Sequence, residues 1–214
     1  GQYTRTKSFF SNSELAARQL PTEDELALLE PWRGKIPDEV FTKVYEPPTT
    51  EGKSTIRTNL RVAQKMLLDA GYKIENNALI SPKTGKPVAF EILLQSPAFE
   101  RIVTPFVANL KRLGIDARVR TVDPSQYVNR TRNFDFDVVV DTTGQSESPG
   151  NEQRDFWTSE AADRPGSQNV MGITNPAIDA LVEKIVDAKD RKSLVTATRA
   201  LDRVLLWNHY VIPQ

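Results

Sequence analysis

The chain has 214 residues, enough for one large domain or two small ones. Its 28 basic and 28 acidic side chains leave a formal net charge of zero, so charge gives no reason to expect nucleic acid or an anionic membrane as a partner. The absence of cysteine excludes disulfides and thiolate ligands, and no apolar run approaches the roughly 18 residues that a membrane-spanning helix needs.

Proline interrupts the first 54 residues too often for a long helix or strand to form there. The spacing of a capping box occurs twice, at Ser11–Glu14 and at Thr22–Glu25. It predicts short helices over residues 13–19 and 23–30. Apolar anchors for packing on a core are supplied by Phe9, Phe10, Trp32, Phe41 and Tyr45. Residues 1–54 are therefore predicted to be an irregular segment with short helices that packs on the remainder of the chain.

From residue 55 onward the pattern is regular. Apolar residues at helical spacing predict a helix over 56–70, which Gly71 ends. A strand is predicted at Val88–Leu94. A second amphipathic helix is predicted at Phe99–Leu113, and Pro105 inside it should bend the backbone.

The stretch from Gly114 to residue 141 has the pattern of one unit of an α/β layer. Gly114 can end the preceding helix in a left-handed conformation. Apolar and polar residues alternate over 117–121, which predicts a half-exposed strand. Asp123 followed by Pro124 predicts the start of a helix. The apolar run in residues 136–140 predicts a strand covered on both faces.

Two more helices are predicted after this unit, beginning at Asn175–Pro176 and at Asp190. The last residues, Tyr210–Gln214, have the composition of a strand. Residues 55–214 are therefore predicted to form an α/β lobe. A first residue other than methionine and an abrupt end predict that the chain comes from a longer protein.

A polar loop over residues 142–157 follows the predicted strand at 136–140. Ligands of α/β sheets bind at the carboxyl ends of the strands, so this loop is the predicted binding surface. The alternative is a solvated connection whose charged residues pair with one another. The predicted ligand-binding residues are Gln145, Ser146, Glu147, Asn151, Glu152, Arg154 and Trp157.

The chemistry of these side chains suits a peptide-like ligand. Glu147 and Glu152 can pair with an amine, and Arg154 can hold a carboxylate through two parallel hydrogen bonds. Asn151 can bind a peptide backbone, and Trp157 offers a flat apolar wall.

Several segments in this order resemble one family of proteins. They are LLDAGY (67–72), VAFEILL (88–94), LKRLGIDARVRTVDPSQY (110–127), FDFDVVVD (134–141) and ITNPAIDALV (173–182). Their order resembles the second lobe of extracellular solute-binding proteins of family 5, the oligopeptide- and dipeptide-binding proteins of ABC importers. Three further segments are similar to its YejA-like subgroup, associated with oligopeptides and microcin C: SFFSNSELAA (8–17), LPTEDELALLEPW (20–32) and SPGNEQRDFW (148–157).

The resemblance implies an α/β lobe of the type II periplasmic binding protein fold, with a central mixed sheet flanked by helices. It implies a periplasmic receptor that captures oligopeptides or peptide-like solutes between two lobes and delivers them to an ABC permease in the inner membrane. The other lobe would belong to the same chain, outside this sequence, as would a signal peptide. No enzymatic activity, cofactor, metal or nucleic acid is expected.

Peptide-binding relatives place an aspartate for the ligand's amino terminus shortly after the strand at 136–140. The corresponding position here is Ser146, with Glu147 beside it. Either Glu147 takes this role, or the amine is not anchored in this way.

Two other functions are compatible with the sequence. Glu147, Glu152 and Asp155 lie close together in sequence, and paired carboxylates can hydrolyse glycosides. A module that docks on another protein and binds no small ligand is the other alternative.

Overall fold

The structure is a computed structural model that describes residues 5–52 and 54–213. The chain forms two compact units. The terminal unit combines the chain up to Pro47 with the chain from Thr142 onward, and the middle unit is Pro48–Asp141. These boundaries differ from the predicted division at residues 54 and 55, because the N-terminal segment shares a core with the C-terminal helices. That the whole chain makes one lobe of a two-lobed protein stays a prediction.

The regular elements alternate between helix and strand in the middle unit and are helical in the described part of the terminal unit. The helices are α1 (Glu23–Leu29), α2 (Glu39–Thr42), α3 (Ile56–Asp69), α4 (Glu100–Arg112), α5 (Pro124–Arg132), α6 (Glu152–Trp157), α7 (Pro176–Val186) and α8 (Arg191–Trp207). The strands are β1 (Lys73–Glu75), β2 (Ala78–Ile80), β3 (Ala89–Leu94), β4 (Asp116–Thr121) and β5 (Val138–Val139). This is the predicted α/β class.

The middle unit is built on a three-stranded parallel sheet in the order β4-β3-β5. Ile92 lies opposite Val119 on one side and Val138 on the other. A single central sheet with both parallel and antiparallel strands was predicted. In the structure the antiparallel pair, β1 and β2, forms a separate hairpin, and the three-stranded sheet is parallel. Apolar residues of α3 and α4 pack with one face of β3 and β4 to form the core of this unit.

Strand β5 is shorter than the predicted strand over 136–140. The backbone N–H of Glu91 donates to the carboxylate of Asp137 at 2.8 Å. The Asp137 carboxylate thus occupies the Glu91 N–H, which would otherwise donate to a backbone carbonyl of a longer β5. Regular pairing with β3 therefore begins only at Val138.

The left-handed conformation predicted for Gly114 is confirmed, and its backbone fits tightly against the hairpin. Its φ angle is +83°, and its carbonyl accepts the N–H of Leu79 at 2.8 Å. A Cβ atom at this position would lie 2.7 Å from the backbone nitrogen of Leu79. Only glycine therefore allows the α4–β4 turn to approach β2 this closely.

We expect the Gly114→Ala variant to lower the free energy of unfolding by about 2–4 kcal/mol, combining left-handed strain with a backbone clash. Gly85 is the matched control, because its φ angle is +67° and a Cβ atom there would meet no atom of the described residues within 4 Å. Gly85→Ala should cost only about 1 kcal/mol from the backbone conformation. Chemical denaturation measures both values, and equal losses would contradict the role of the contact with Leu79.

The core of the terminal unit surrounds α7 and α8. Both helices begin as predicted, with Asn175 capping α7 and Asp190 forming a capping box at α8. Fully buried residues that line this core include Leu15, Leu29, Trp157, Ile178, Leu181, Leu201 and Val204. Helix α8 thus has apolar partners on several sides.

The buried carboxylate of Asp202 on α8 fastens the N-terminal segment to this core. It accepts the hydroxyl of Ser8 at 2.7 Å and the backbone N–H groups of Phe9 and Ala17, each at 2.9 Å. The helix predicted over residues 13–19 is wrong, since this segment consists of turns, bends and irregular backbone. Its backbone donor at Ala17 is bound by Asp202 and not by a preceding helical carbonyl.

Helix α1 begins at Glu23 with Thr22 as its N-cap, as predicted, and the Thr22 hydroxyl accepts the N–H of Glu25 at 3.3 Å. The Glu25 side chain does not complete the predicted capping box. It accepts the Nε–H of Arg203 at 2.7 Å, and both side chains are buried. This ion pair joins α1 to α8.

Asp202 makes the terminal unit sensitive to pH. Burial raises the pKa of Asp202 to about 6, against the opposing effect of its hydrogen-bond donors and Arg203. Its unfolded value is about 3.9, so the folded protein binds the proton more tightly and stability is lost as pH rises through 6. We expect the free energy of unfolding to fall by about 1–1.5 kcal/mol from pH 5 to 7.5 through this group.

Denaturation at a series of pH values checks this slope. Asp202→Asn should remove that part of the slope, whatever its effect on absolute stability, because an amide does not titrate. An unchanged slope in the variant would contradict the assignment to Asp202.

The predicted strand at the end of the chain is not formed by residues 210–213, which have no regular structure; residue 214 lies outside the described residues. Tyr210 packs instead against the core of the terminal unit. Within the described ranges, no helix has the length and apolar character required to cross a membrane.

Candidate ligand-binding loop

The predicted binding loop belongs to the terminal unit and is shorter than expected. The chain leaves β5 and is irregular from residue 142 to Asn151, after which residues 152–157 form helix α6. The Glu152 carboxylate accepts the backbone N–H of Gly150 at 2.8 Å and so satisfies one donor at the helix start. The predicted continuous loop over 142–157 is therefore a loop of about ten residues followed by a short helix.

Arg191 holds the middle of this loop. Its guanidinium donates to the backbone carbonyl of Glu147 and, through Nε at 2.7 Å, to the Glu14 carboxylate. A cation at the first residue of a helix is disfavoured by the helix dipole. The contacts with Glu147 and Glu14 explain why an arginine is nevertheless found at this position. Glu14 is itself held, because Arg199 donates to its carbonyl at 2.8 Å. The N-terminal segment and α8 together fix the backbone at Glu147.

A chain of three side chains lies beneath the loop. The indole Nε1–H of Trp157 donates to Oε1 of Gln153 at 2.7 Å, and Nε2 of Gln153 donates to Oε1 of Gln145 at 2.7 Å. Trp157 and Gln153 are fully buried, while Gln145 is half-buried. Gln153 and Trp157 are four positions apart, which places them on the same face of α6.

Trp157 provides no exposed wall for a ligand, contrary to its predicted role. Its exposed fraction is 0%, and its ring packs edge-on against Phe9 with a centroid separation of 5.2 Å. It stabilises the core beneath the loop. Gln153 is equally buried and accepts the indole N–H.

Arg154 forms the predicted two-pronged contact with a carboxylate, but the carboxylate is its own neighbour on α7. Its Nε and Nη2 donate to the two oxygens of Glu183 at 2.8 and 2.6 Å. This contact lowers the pKa of Glu183. Arg154 also donates to the side chain of Asn151 at 2.5 Å. Arg154 thus joins α6 to α7, and Asn151 is a further acceptor for its guanidinium.

Glu152 is similarly committed to the loop. Desolvation raises its pKa, but the N–H donors of Gly150 and of Glu152 itself outweigh this effect, so the pKa lies below its ordinary value. Its carboxylate also accepts Nε2 of Gln153 at 3.3 Å. Glu152 is an anion that caps the helix.

Ser146 and Glu147 are the predicted site residues that remain on the surface. Both side chains are exposed, and the Ser146 hydroxyl accepts the N–H of Ser148 at 3.0 Å. In the described part of the chain, the Glu147 carboxylate has no ion-pair partner. The structure therefore offers one free carboxylate on a backbone that Arg191 holds in place.

Nothing in residues 5–52 and 54–213 gathers three His, Asp or Glu side chains in positions to hold a metal ion. Asp155, the third acid of the hydrolase alternative, binds Arg164 and the backbone N–H of Gln168. It is an internal structural partner like Glu152.

The sequence was compared with protein families and with known proteins. Residues 1–164 match the family described as bacterial extracellular solute-binding proteins, family 5 middle. The chain belongs to solute-binding protein family 5.

Two relatives of this family 5 chain match it over nearly its whole length. It is 51% identical to the probable peptide-binding protein YejA of Agrobacterium fabrum over 214 residues, which are all of this chain and 35% of the relative. It is 53% identical over 212 residues to the uncharacterized protein y4wM of Sinorhizobium fredii, covering 99% of this chain and 32% of the relative. The chain thus spans about a third of these relatives, and the YejA-like resemblance is confirmed.

Solved structures share the fold. The oligopeptide-binding protein AppA of Bacillus subtilis, in complex with a nonapeptide, is 21% identical with a TM-score of 0.63. The match covers 92% of this chain and 39% of AppA. The predicted fold of a periplasmic binding protein is confirmed for the family 5 chain.

Two residues that shape the loop were not predicted as site residues, Gln153 and Arg191. The spacing of Gln153 and Trp157 would have paired them if residues 152–157 had been assigned to a helix. Arg191 had one local signal, a cation at the start of α8 just after the Asp190 cap. Its partners, Glu14 and Glu147, lie 177 and 44 residues away, so no local pattern indicated them.

Proposed function

We propose that this chain forms part of the substrate-binding component of an ABC importer and helps to capture oligopeptides or peptide-like solutes. The observation that carries the proposal is 51% identity, over the whole chain, to a probable peptide-binding protein of family 5. The chain spans about a third of such relatives, so a second lobe of the same protein would supply the opposing wall. The receptor would act in the periplasm and deliver its solute to a permease in the inner membrane.

The mechanism we propose is closure of two lobes around the solute, with no chemistry on it. The surface contributed here would be the loop at residues 145–148, with Glu147 as the partner of a peptide amine. Support comes from the free, exposed carboxylate of Glu147 and from Arg191, which holds the backbone at this residue. A fixed backbone reduces the entropy lost when a ligand is bound.

The hydrolase alternative receives no support from the geometry. Glu152 caps α6 and Asp155 pairs with Arg164, which leaves Glu147 without a second free acid among its predicted partners. No observation in the described residues favours a docking module over a solute-binding one.

Peptide binding by the complete reading frame that encodes the chain tests the proposal. We expect calorimetry with a mixture of tri- to pentapeptides to detect binding by the complete protein. The chain of 214 residues alone should bind much more weakly, because it offers one wall of the pocket. Absence of binding by the complete protein would contradict the proposed function. Equal affinity of the isolated chain would contradict capture between two lobes.

Glu147→Gln tests the proposed role of the loop within the same experiment. We expect about a tenfold loss of affinity for peptides with a free amino terminus, the value of one hydrogen bond to a charged group. N-acetylated peptides should bind the variant and the unaltered protein equally. Glu23→Gln, an exposed glutamate of α1, is the matched control. Equal losses for free and acetylated peptides would contradict the contact with the amine.

A further inference from the structure

The chain of hydrogen bonds beneath the loop has only one possible direction. An indole nitrogen donates and cannot accept, so Trp157 obliges Gln153 to present Oε1 to it. The amide nitrogen of Gln153 then points to Gln145. It also donates to the Glu152 carboxylate, which accepts only, and this second contact fixes the same orientation.

The direction passes on to Gln145. Because Gln153 donates, Gln145 must direct its Oε1 toward Gln153. The Nε2 of Gln145 then points away from this chain of hydrogen bonds. That nitrogen is shielded from solvent and has no acceptor within the described ranges of the chain. Rotating the Gln145 amide by 180° would place its N–H against the N–H of Gln153. The alternative orientation of the amide therefore cannot be adopted.

A shielded donor without an acceptor is rare in proteins, since most such groups have a partner. Gln145 lies in the loop proposed to contact the solute, and its neighbours Gly144, Ser146 and Glu147 are exposed. The unpaired donor therefore lies in a segment whose adjoining residues meet solvent.

We infer that the Gln145 amide nitrogen donates a hydrogen bond to the carbonyl oxygen of a peptide bond in the solute, and that Trp157 sets this polarity through Gln153. The inference rests on the proposed function and adds the group that is recognised. A neutral carbonyl fits better than a carboxylate, because the Glu152 carboxylate accepts from the same Gln153 nitrogen as Gln145 and disfavours a second anion there.

Gln145→Glu in the complete reading frame removes the donor and keeps the shape. One carboxylate oxygen still accepts from Gln153, while the other replaces the N–H group. We expect affinity for the mixture of tri- to pentapeptides to fall about tenfold or more, since the solute's carbonyl then faces an acceptor. Gln19→Glu, at an exposed position of the terminal unit, adds the same charge and should change nothing.

Gln153→Glu, combined with Glu152→Gln so that two carboxylates do not meet, tests the polarity without altering Gln145. One oxygen of the new carboxylate accepts from Trp157, and the other obliges Gln145 to turn its nitrogen inward. Affinity should fall as in Gln145→Glu. A variant with native affinity would overturn the inference and leave the proposed function intact.

The unaltered protein gives a readout that does not depend on variants that fold. Its side-chain amides are labelled with 15N-glutamine, and the Gln145 signal is assigned by its loss in Gln145→Glu or, should that variant not fold, in Gln145→Met. Saturating peptide should shift the Gln145 amide signal. Peptide binding with an unmoved signal would overturn the inference alone, whereas absence of binding would overturn the proposed function and the inference together.

Discussion

The Glu25→Gln variant is expected to lose about 3–5 kcal/mol of unfolding free energy, because it removes the carboxylate that pairs directly with the buried guanidinium of Arg203. The two side chains are only 2% and 3% exposed, and their contact is 2.7 Å. A charge in such surroundings cannot be compensated by water. Denaturation by urea, followed by circular dichroism, measures the loss.

Two controls separate this effect from a general cost of removing a carboxylate. Glu30 pairs with Arg33 at 2.8 Å, but both side chains are more than half exposed. Glu30→Gln should therefore cost at most about 1 kcal/mol. The double variant Glu25→Leu/Arg203→Met should regain most of the lost stability, since apolar residues of similar size can replace a buried pair. If the double variant were less stable than Glu25→Gln, the explanation by a buried guanidinium that has lost its carboxylate would be wrong.

Trp157→Ala is expected to lower the unfolding free energy by about 3–5 kcal/mol, the usual cost of removing a large buried aromatic residue. The side chain is fully buried, packs on Phe9 and satisfies Gln153, so the variant creates a cavity and leaves a buried amide oxygen without its donor. The loss should be present in the absence of any ligand. It is measured by the same denaturation experiment.

Phe99 is the control for aromatic truncation, because 40% of it is exposed. Phe99→Ala should cost about 1 kcal/mol or less. If Trp157 were a ligand wall as the sequence suggested, its removal would leave stability nearly intact and change only affinity. That result would contradict the structural role described for it.

Local signals predicted much of the middle unit. Gly114 ends α4, Asp123 caps α5 with Pro124 behind it, and the alternation in residues 117–121 produces β4. Each of these features is decided within a few residues of the chain. The order of the elements also identified the family, because it is a property of the whole pattern.

The errors fall where a distant side chain takes a backbone partner. Residues 13–19 have the spacing for a helix, yet Asp202 binds Phe9 and Ala17 from 193 and 185 positions away. Strand β5 is shortened because Asp137 binds the N–H of Glu91. A local pattern contains no information on such competitors.

The predicted site residues also fall into two groups, those exposed on the loop and those bound to partners within the protein. Ser146 and Glu147 were placed on an exposed loop, which the structure agrees with, and their contact with a solute stays a prediction. Arg154, Glu152 and Trp157 were chosen for chemistry that they direct inward, to Glu183, Gly150 and Gln153. Residue type predicted the kind of contact correctly for Arg154, but only tertiary structure decides which partner is nearest.

The insertion of the middle unit between two parts of the terminal unit has a consequence for biosynthesis. Residues 48–141 contain a core of their own and can fold as soon as they leave the ribosome. Phe10 and Leu15 emerge earlier but bury themselves only when α8, with Asp202, has been translated. During that interval their apolar side chains are open to non-native association, so chaperones that hold nascent chains should be needed for the first segment more than for the inserted one.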